Sequence, residues 1–483
     1  MDETQIYQTL KERFGYDSFR DGQLDTIKSL LAGNDTMTVM PTGGGKSLLY
    51  QLPGYLLPGA VLVVSPLISL MQDQVDRLRQ NGEKQVMMLS ARGSKQERRQ
   101  QLNALRTTKF IFASPEQLAN PEVIKAIQGI NLSLLTIDEA HCISQWGPDF
   151  RPEYLLLKHL RHQLGNPRML LLTATATPRV RADVLDKVGL ASSQVTQIIK
   201  SVNRPNIFLA VEKFSDSKEK QARLIELVKT LPGAGVVYFS SRRMATAVAD
   251  LLRQEGGMAV EAYHAGMATA DRYRIQQQFM RNQLDVICAT SAFGMGVDKN
   301  DIRFVIHYHL PTSMESYVQE IGRAGRDGKQ SVAVLLYSDG DEGVAKSLTS
   351  ITLPPAEIYQ QVQNGKLPSK AMGPDFELFE FYIKHHISID QLKTSFGHRQ
   401  AQLSWQIHQV KEYVELTDCR REFILSYFGE EAISQSHFCC DIDSPEWFSD
   451  RILPERQPRE FNQKQENWKS QLQRLLNLHL DKQ

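Results

Sequence analysis

The sequence predicts an α/β protein, with two doubly wound parallel-sheet domains in tandem followed by a mostly helical module. Three observations carry this reading. Short β-branched or leucine-rich runs alternate with helix-length segments in two successive sets; these strand signals fade beyond about residue 340; and a chain of 483 residues is too long for one ordinary domain. Hydrophobic residues make up 41% and charged residues 23%, ordinary values for a soluble globular protein that leave both enzymes and binding modules open. The formal net charge of +1 argues against a purely electrostatic coat protein for nucleic acid. Any phosphate attraction has to come from local grooves and patches.

The first set of strand signals is DTMTVM (35 to 40), VLVV (61 to 64), KFIFAS (109 to 114), LSLLTID (132 to 138) and RMLLLTAT (168 to 175). Runs spaced this way, with helices between them, imply a parallel sheet covered on both faces, and they assign residues 1–200 to the first domain. The polar, proline-broken stretch 201 to 220 reads as a connection. The second set, GVVYFS (235 to 240), AVEAYH (259 to 264), DVICAT (285 to 290), RFVIHY (303 to 308) and SVAVLLY (331 to 337), assigns 201–342 to a second domain of the same kind. Helical patterns then dominate 343–445, and 446–483 is a tail whose Trp468, Leu472, Leu475 and Leu476 share one helical face, read as docking on its own protein.

The run from Ser47 to Gln72 has no charged residue and is long enough to suggest a membrane span. Pro53, Pro58 and Pro66 break it, with Gly54 and Gly59, into a helix, a loop and a buried strand. The polar start MDETQIYQTL lacks a secretory pattern, so the expectation is a cytoplasmic protein that engages no membrane. In such a reducing compartment the clustered cysteines read as metal ligands rather than disulfides.

Four stretches carry chemistry. MPTGGGKSLLYQ follows a strand signal and opens a helix, the context of a phosphate-cradling loop: Thr42, Gly43, Gly44 and Gly45 form the turn, Lys46 reaches the outer phosphates and the Ser47 hydroxyl holds magnesium. The strict pattern wants glycine at position 40, where the chain has Met40. Asp138 and Glu139 end a strand signal, Asp138 suited to the magnesium side and Glu139 to polarising a water. QEIGRAGRDG sets Gln319, Arg323 and Arg326 at spacings of four and three, on one side of a helix, the two arginines offering guanidiniums that reach across a cleft to a transferring phosphoryl group. FGYDSFRDGQ offers Tyr16, Arg20 and Gln23, a ring to stack on adenine and an amide to pair with its edge.

Together with SPLISLMQDQ, DEAHCISQWGPDFRPEY, LTATAT, YHAGM, ATSAFGMGVDK and CRREFILSYFGE, these stretches give the chain its resemblance to the RecQ family of superfamily 2 DNA helicases, over roughly residues 10 to 340 and 405 to 443. The resemblance implies two RecA-like domains, use of ATP and magnesium, and 3′ to 5′ movement on single-stranded DNA in recombination and repair. It also implies that Met40 is no departure. The aromatic-rich loop after the acidic tetrad is expected to contact DNA and report to the ATP site through His141, Trp146, Phe150 and Arg151; aromatic faces stack on bases without sequence preference, and arginine adds phosphate contacts. Expected partners are single-stranded and partially duplex DNA, a single-stranded-DNA-binding protein and recombination factors, with the chain itself a monomer.

Zinc takes four nitrogen or sulfur ligands, and Cys419, Cys439 and Cys440 supply three. Relatives carry a cysteine where this chain has Asp443; an aspartate oxygen is a legitimate fourth ligand, and His437 is the alternative. The segment 345 to 405 reads as an addition to the bacterial pattern, and the forty residues after Asp443 are too few for a winged helix plus an HRDC domain. A translocase that needs a partner to open duplexes, an RNA helicase and a non-catalytic DNA-binding scaffold are the rival readings. Intact Lys46, Asp138, Glu139, Arg323 and Arg326 argue against the scaffold.

Overall fold

The computed structural model describes residues 2–90, 94–145, 157–294, 299–350, 356–364, 383, 388–431, 439–448 and 453. In the first domain, strands β1 (Asp35–Val39), β2 (Ala60–Val64), β3 (Val86–Met88), β4 (Phe110–Ala113), β5 (Leu132–Ile137), β6 (Arg168–Thr173) and β7 (Val195–Ile199) form one sheet in the order β3-β4-β2-β5-β6-β1-β7. Every pairing is parallel. Helices cover both faces, so the central strands are apolar on both sides: Leu62, Ile111, Leu135 and Leu171 enter one core, while Val61, Phe110, Leu134 and Leu170 enter the other. The uncharged run after Ser47 folds as the helix Leu48–Leu56, strand β2 and the start of the helix Ile68–Gln80. No described helix is long and apolar enough to cross a membrane.

The second domain repeats the plan with β8 (Ile207–Phe214), β9 (Ala234–Tyr238), β10 (Val260–Tyr263), β11 (Val286–Ala289), β12 (Ile302–His307) and β13 (Ser331–Ser338), ordered β10-β11-β9-β12-β13-β8 and again all parallel. Strand β8 corrects the sequence reading, which took 201 to 220 for a connection. Its eight residues pair with β13 from Ile207 opposite Ser331 to Phe214 opposite Ser338. The proline just upstream and the charged end, Glu212 and Lys213, mask the pattern, yet Ile207, Leu209 and Val211 face one core while Phe208 and Ala210 face the other. The reading also passed over β3, three residues long, and β7, a partly exposed edge strand.

The helical module is continuous with the second domain. Its 27-residue helix, Ile389–Glu415, starts at a capping box in which Ser388 and Gln391 satisfy each other's backbone N–H groups. Ile407, Val410, Tyr413 and Val414 on this helix join Ile424, Leu425, Phe428, Cys439 and Cys440 in one core with β8 to β13. The outer edge of β8 is covered as well. Leu209 N–H donates to the Cys439 carbonyl at 3.2 Å, Asp441 N–H donates to the Leu209 carbonyl at 2.9 Å, and Asp441 Oδ2 accepts from Val211 N–H at 3.1 Å. An exposed row of strand amides would invite pairing with another chain, and this short return segment occupies those of Leu209 and Val211. The tail face of Trp468, Leu472, Leu475 and Leu476 lies outside the described residues.

Candidate ATP-binding cleft and metal centre

The phosphate loop leaves β1 in the middle of the first sheet, where the Met40 N–H still donates to the Thr173 carbonyl at 3.1 Å. Gly43 and Gly45 have φ of 83° and 77°, a conformation side chains resist. Residues before the loop brace it: Arg20 donates to the Gly43 carbonyl, and Gln23 Nε2 donates to Gly44 and Gly45 carbonyls at 3.0 and 3.3 Å. Gln23 Oε1 accepts from Arg20 N–H at 2.9 Å. The amide that the sequence assigns to an adenine edge is therefore committed to the loop in this structure, and Tyr16 is 58% exposed beside it in sequence. Lys46 Nζ donates to the Met40 carbonyl at 3.4 Å, and Ser47 is half-buried at the helix start.

Asp138 and Glu139 leave the tip of β5. Asp138 N–H donates to the Val64 carbonyl of β2 at 2.8 Å, and its Oδ1 accepts from the Glu139 N–H at 2.9 Å. Burial, with Glu139 beside it, raises Asp138 to about 7, against the pull of Lys46. Glu139 is buried with φ of 49°, and its Oε2 has no hydrogen-bond partner among the described residues. It faces His141 Nδ1 at 3.4 Å, and His141 Nδ1 in turn lies 2.9 Å from Thr173 Oγ1. Burial holds His141 below its ordinary pKa, so the ring is neutral near pH 7.

The desolvated Asp138 carboxylate and the half-buried Ser47 hydroxyl are hard oxygen donors of the kind magnesium takes. Strained backbone and an unpaired buried polar atom at one residue are costs that folded chains tolerate at functional sites.

The second domain supplies the opposite wall, and here the geometry corrects the expectation of two arginines on one helical side. The helix Met314–Ile321 ends before them, and Gly325, at φ 56°, turns the chain. Arg326 packs on the phosphate loop, so that a methyl built on Gly43 would come 3.2 Å from its Cγ. Arg323 is 4% exposed and donates instead to the Gly294 carbonyl. Thr42 Oγ1 donates across the cleft to the Gly322 carbonyl at 2.9 Å. Gln319 lines a cavity of about 30 Å³ with Pro41, Thr42, Thr175 and Arg204. Arg204 went unnoticed in the sequence, where only its Asn-Arg-Pro-Asn context marks it. Trp146, Phe150 and Arg151 lie outside the described residues.

At the junction of the helical module and β8, Cys419, Cys439, Cys440 and Asp443 converge, with ligand atoms within 4.8 Å of one another. Cys419 and Cys439 sulfurs are 3.3 Å apart, and Asp443 Oδ2 accepts from Cys439 at 2.8 Å and Cys440 at 3.3 Å. Tetrahedral zinc with bonds of about 2.3 Å spaces its sulfurs roughly 3.8 Å apart, so a small opening of this cluster fits the ion. The alternative ligand, His437, lies outside the described residues.

Two RecA-like sheets closing on a phosphate loop define a helicase core. Solved structures agree on the fold: helicase MrfA bound to DNA and AMPPNP superimposes with TM-score 0.59 at 20% identity over 72% of this chain and 52% of its own. The Mycobacterium smegmatis helicase Lhr bound to single-stranded DNA and AMP-PNP gives 0.57 at 20% identity over 75% and 50%. Family models match as DEAD/DEAH box helicase (20–184), helicase conserved C-terminal domain (219–328) and RecQ zinc-binding (374–444). The last match takes in 374 to 405, so that part of the supposed addition is matched by the family model. The probable ATP-dependent DNA helicase RecS of Bacillus subtilis is 40% identical over 98% of both chains. The ATP-dependent DNA helicase RecQ of Haemophilus influenzae is 37% identical over 89% of this chain and 62% of its own. The chain belongs to the RecQ family of ATP-dependent DNA helicases.

Proposed function

We propose that the chain hydrolyses ATP in the cleft between the phosphate loop and the Arg326 turn, moves 3′ to 5′ along single-stranded DNA, and separates strands in recombination and repair in the cytoplasm. The observation that carries this reading is Glu139, whose buried Oε2 sits on strained backbone beside Asp138 with no hydrogen bond among the described residues and only the His141 ring at 3.4 Å, a placement suited to orienting a water. Lys46 would meet the outer phosphates, Arg326 the charge of the transferring group, and Gln319 the space between. Arg323 would hold the 294 turn that borders the cleft. Asp138 and Ser47 would hold magnesium, which shields phosphate charge when bound. His141, neutral and wedged between Glu139 and Thr173, is suited to report DNA contact by Trp146, Phe150 and Arg151 to the water-orienting carboxylate. Zinc on Cys419, Cys439, Cys440 and Asp443 would brace the helical module. Domain limits of 1–200, 201–342 and 343–445 go with this assignment.

The test is ATP hydrolysis with strand displacement on partial duplexes bearing a 3′ or a 5′ single-stranded tail, against Glu139→Gln. DNA-stimulated hydrolysis with displacement from the 3′ tail alone is expected. Hydrolysis without displacement would replace unwinding with translocation, and stimulation by RNA equal to that by DNA would replace the substrate.

A further inference from the structure

The turn at 322–325 contains Arg323 and leads directly into Arg326, and its carbonyls are held by the linker between the domains. Arg204 Nη1 donates to the Gly322 carbonyl at 3.1 Å, while its Nη2 donates to Ala324 and Gly325 carbonyls at 3.0 and 2.7 Å. Asn206 Nδ2 adds a bond to the Gly325 carbonyl at 2.8 Å. A planar guanidinium on three carbonyls fixes both the position and the tilt of that turn, which a lysine ammonium cannot do. The Gly322 oxygen is the one that also accepts from Thr42, so the linker and the phosphate loop grip the same atom.

Arg204 is itself anchored. Its carbonyl accepts from Arg421 Nη1 at 2.9 Å; Arg421, buried, also donates to Asn203 Oδ1 at 3.1 Å, to the Ile207 carbonyl, and to the carbonyl of Cys439 at 3.4 Å. A run of hydrogen bonds therefore joins the cysteine cluster to the phosphate loop by way of two arginines, Arg421 in the CRREFILSYFGE stretch and Arg204 in the linker.

We propose that Arg204 is a positioning residue for ATP hydrolysis: it sets the 322–325 turn so that Arg326 meets the phosphate loop, and Arg421 holds it in place from the zinc-binding module. The proposal rests on the reading that Arg326 acts on the transferring phosphoryl group. Contiguity alone does not establish coupling, so the test is a double-mutant cycle.

DNA-stimulated ATP turnover is measured for the full chain and for Arg204→Ala, Arg326→Ala and the double variant, with thermal unfolding and zinc content followed in each. Each single substitution is expected to lower kcat roughly 10- to 100-fold, with KM for ATP within about threefold of the parent. The double variant should be no slower than Arg326→Ala. Losses that multiply, or an Arg204→Ala protein with parental kcat, overturn the positioning role while leaving Arg326 its function. Parental turnover in Arg326→Ala overturns the reading of the site itself and the proposal with it. Should Arg204→Ala not fold, Arg204→Lys runs the same cycle: it keeps the charge, loses the fork, and must show the same non-additive fall in kcat.

Discussion

Thr42 and Gly322 stand 280 residues apart in the chain and are joined by a 2.9 Å hydrogen bond, hydroxyl to carbonyl, that spans the cleft between the two sheets. This bond holds the phosphate loop against the arginine turn alongside the packing of Arg326 on Gly43. Thr42→Val keeps the shape and removes the donor, leaving Arg204 on the same oxygen. The expected cost is about 0.5–1.5 kcal/mol, borne by the closed state alone. Steady-state kinetics should show kcat/KM for ATP reduced roughly two- to tenfold with an unchanged unfolding midpoint; a parental kcat/KM would mean that the bond does not matter to closure.

Zinc should co-purify at one ion per chain, measured by elemental analysis. Asp443→Ala should lower the occupancy, and Asp443→Cys should restore it, because a thiolate replaces the carboxylate oxygen in a site that already has three sulfurs. Retention of full occupancy in Asp443→Ala would hand the fourth position to another ligand.

The Arg420 guanidinium meets both oxygens of Asp441, and both side chains are largely buried. Arg420→Met strands the carboxylate, with only the Val211 N–H left to it among the described residues. Breaking a buried pair from one side costs about 3–5 kcal/mol. Denaturant unfolding of the second domain should show a loss of this order, and Arg420→Met combined with Asp441→Leu should recover part of it.

His309 offers a pH dependence. Burial pushes it down to about 4, with Asp341 opposing and Lys220 adding to the push, and its Nδ1 accepts from the Ser240 N–H at 3.2 Å. The unfolded chain takes up the proton near pH 6.5, so the folded state is favoured above that value and loses the advantage as pH falls toward 4, on the order of 2–3 kcal/mol in total. Stability measured from pH 7 to 4 should fall less steeply in His309→Gln than in the parent; parallel curves would remove His309 from the account.

What the sequence makes legible depends on how local the determinant is. VLVV at 61 to 64 reads as a strand because a parallel sheet covered on both faces needs apolar residues at every position. The phosphate loop and the Asp138–Glu139 pair were legible because each is one contiguous turn beside one strand. Strand β8 was not, because what makes it a strand is a partner, β13, more than a hundred residues later. The separation of Arg323 from Arg326 was also hidden: their spacing of three suits a helix, and only the end of that helix at Ile321 sends one to Gly294 and the other to Gly43. Arg204 and Arg421 acquire their meaning through backbone carbonyls, which have no letter in a sequence.

The cover that residues 439–441 place on β8 also sets an order of events during synthesis. Leu209 leaves the ribosome some 230 residues before Cys439 and Asp441, so for that interval the nascent second sheet carries a strand edge with nothing to close it. Chaperone occupancy of ribosome-bound chains should therefore persist past the end of β13 and fall only when the cysteine cluster has emerged. A chain halted between the two would be an aggregation hazard even with both sheets otherwise complete.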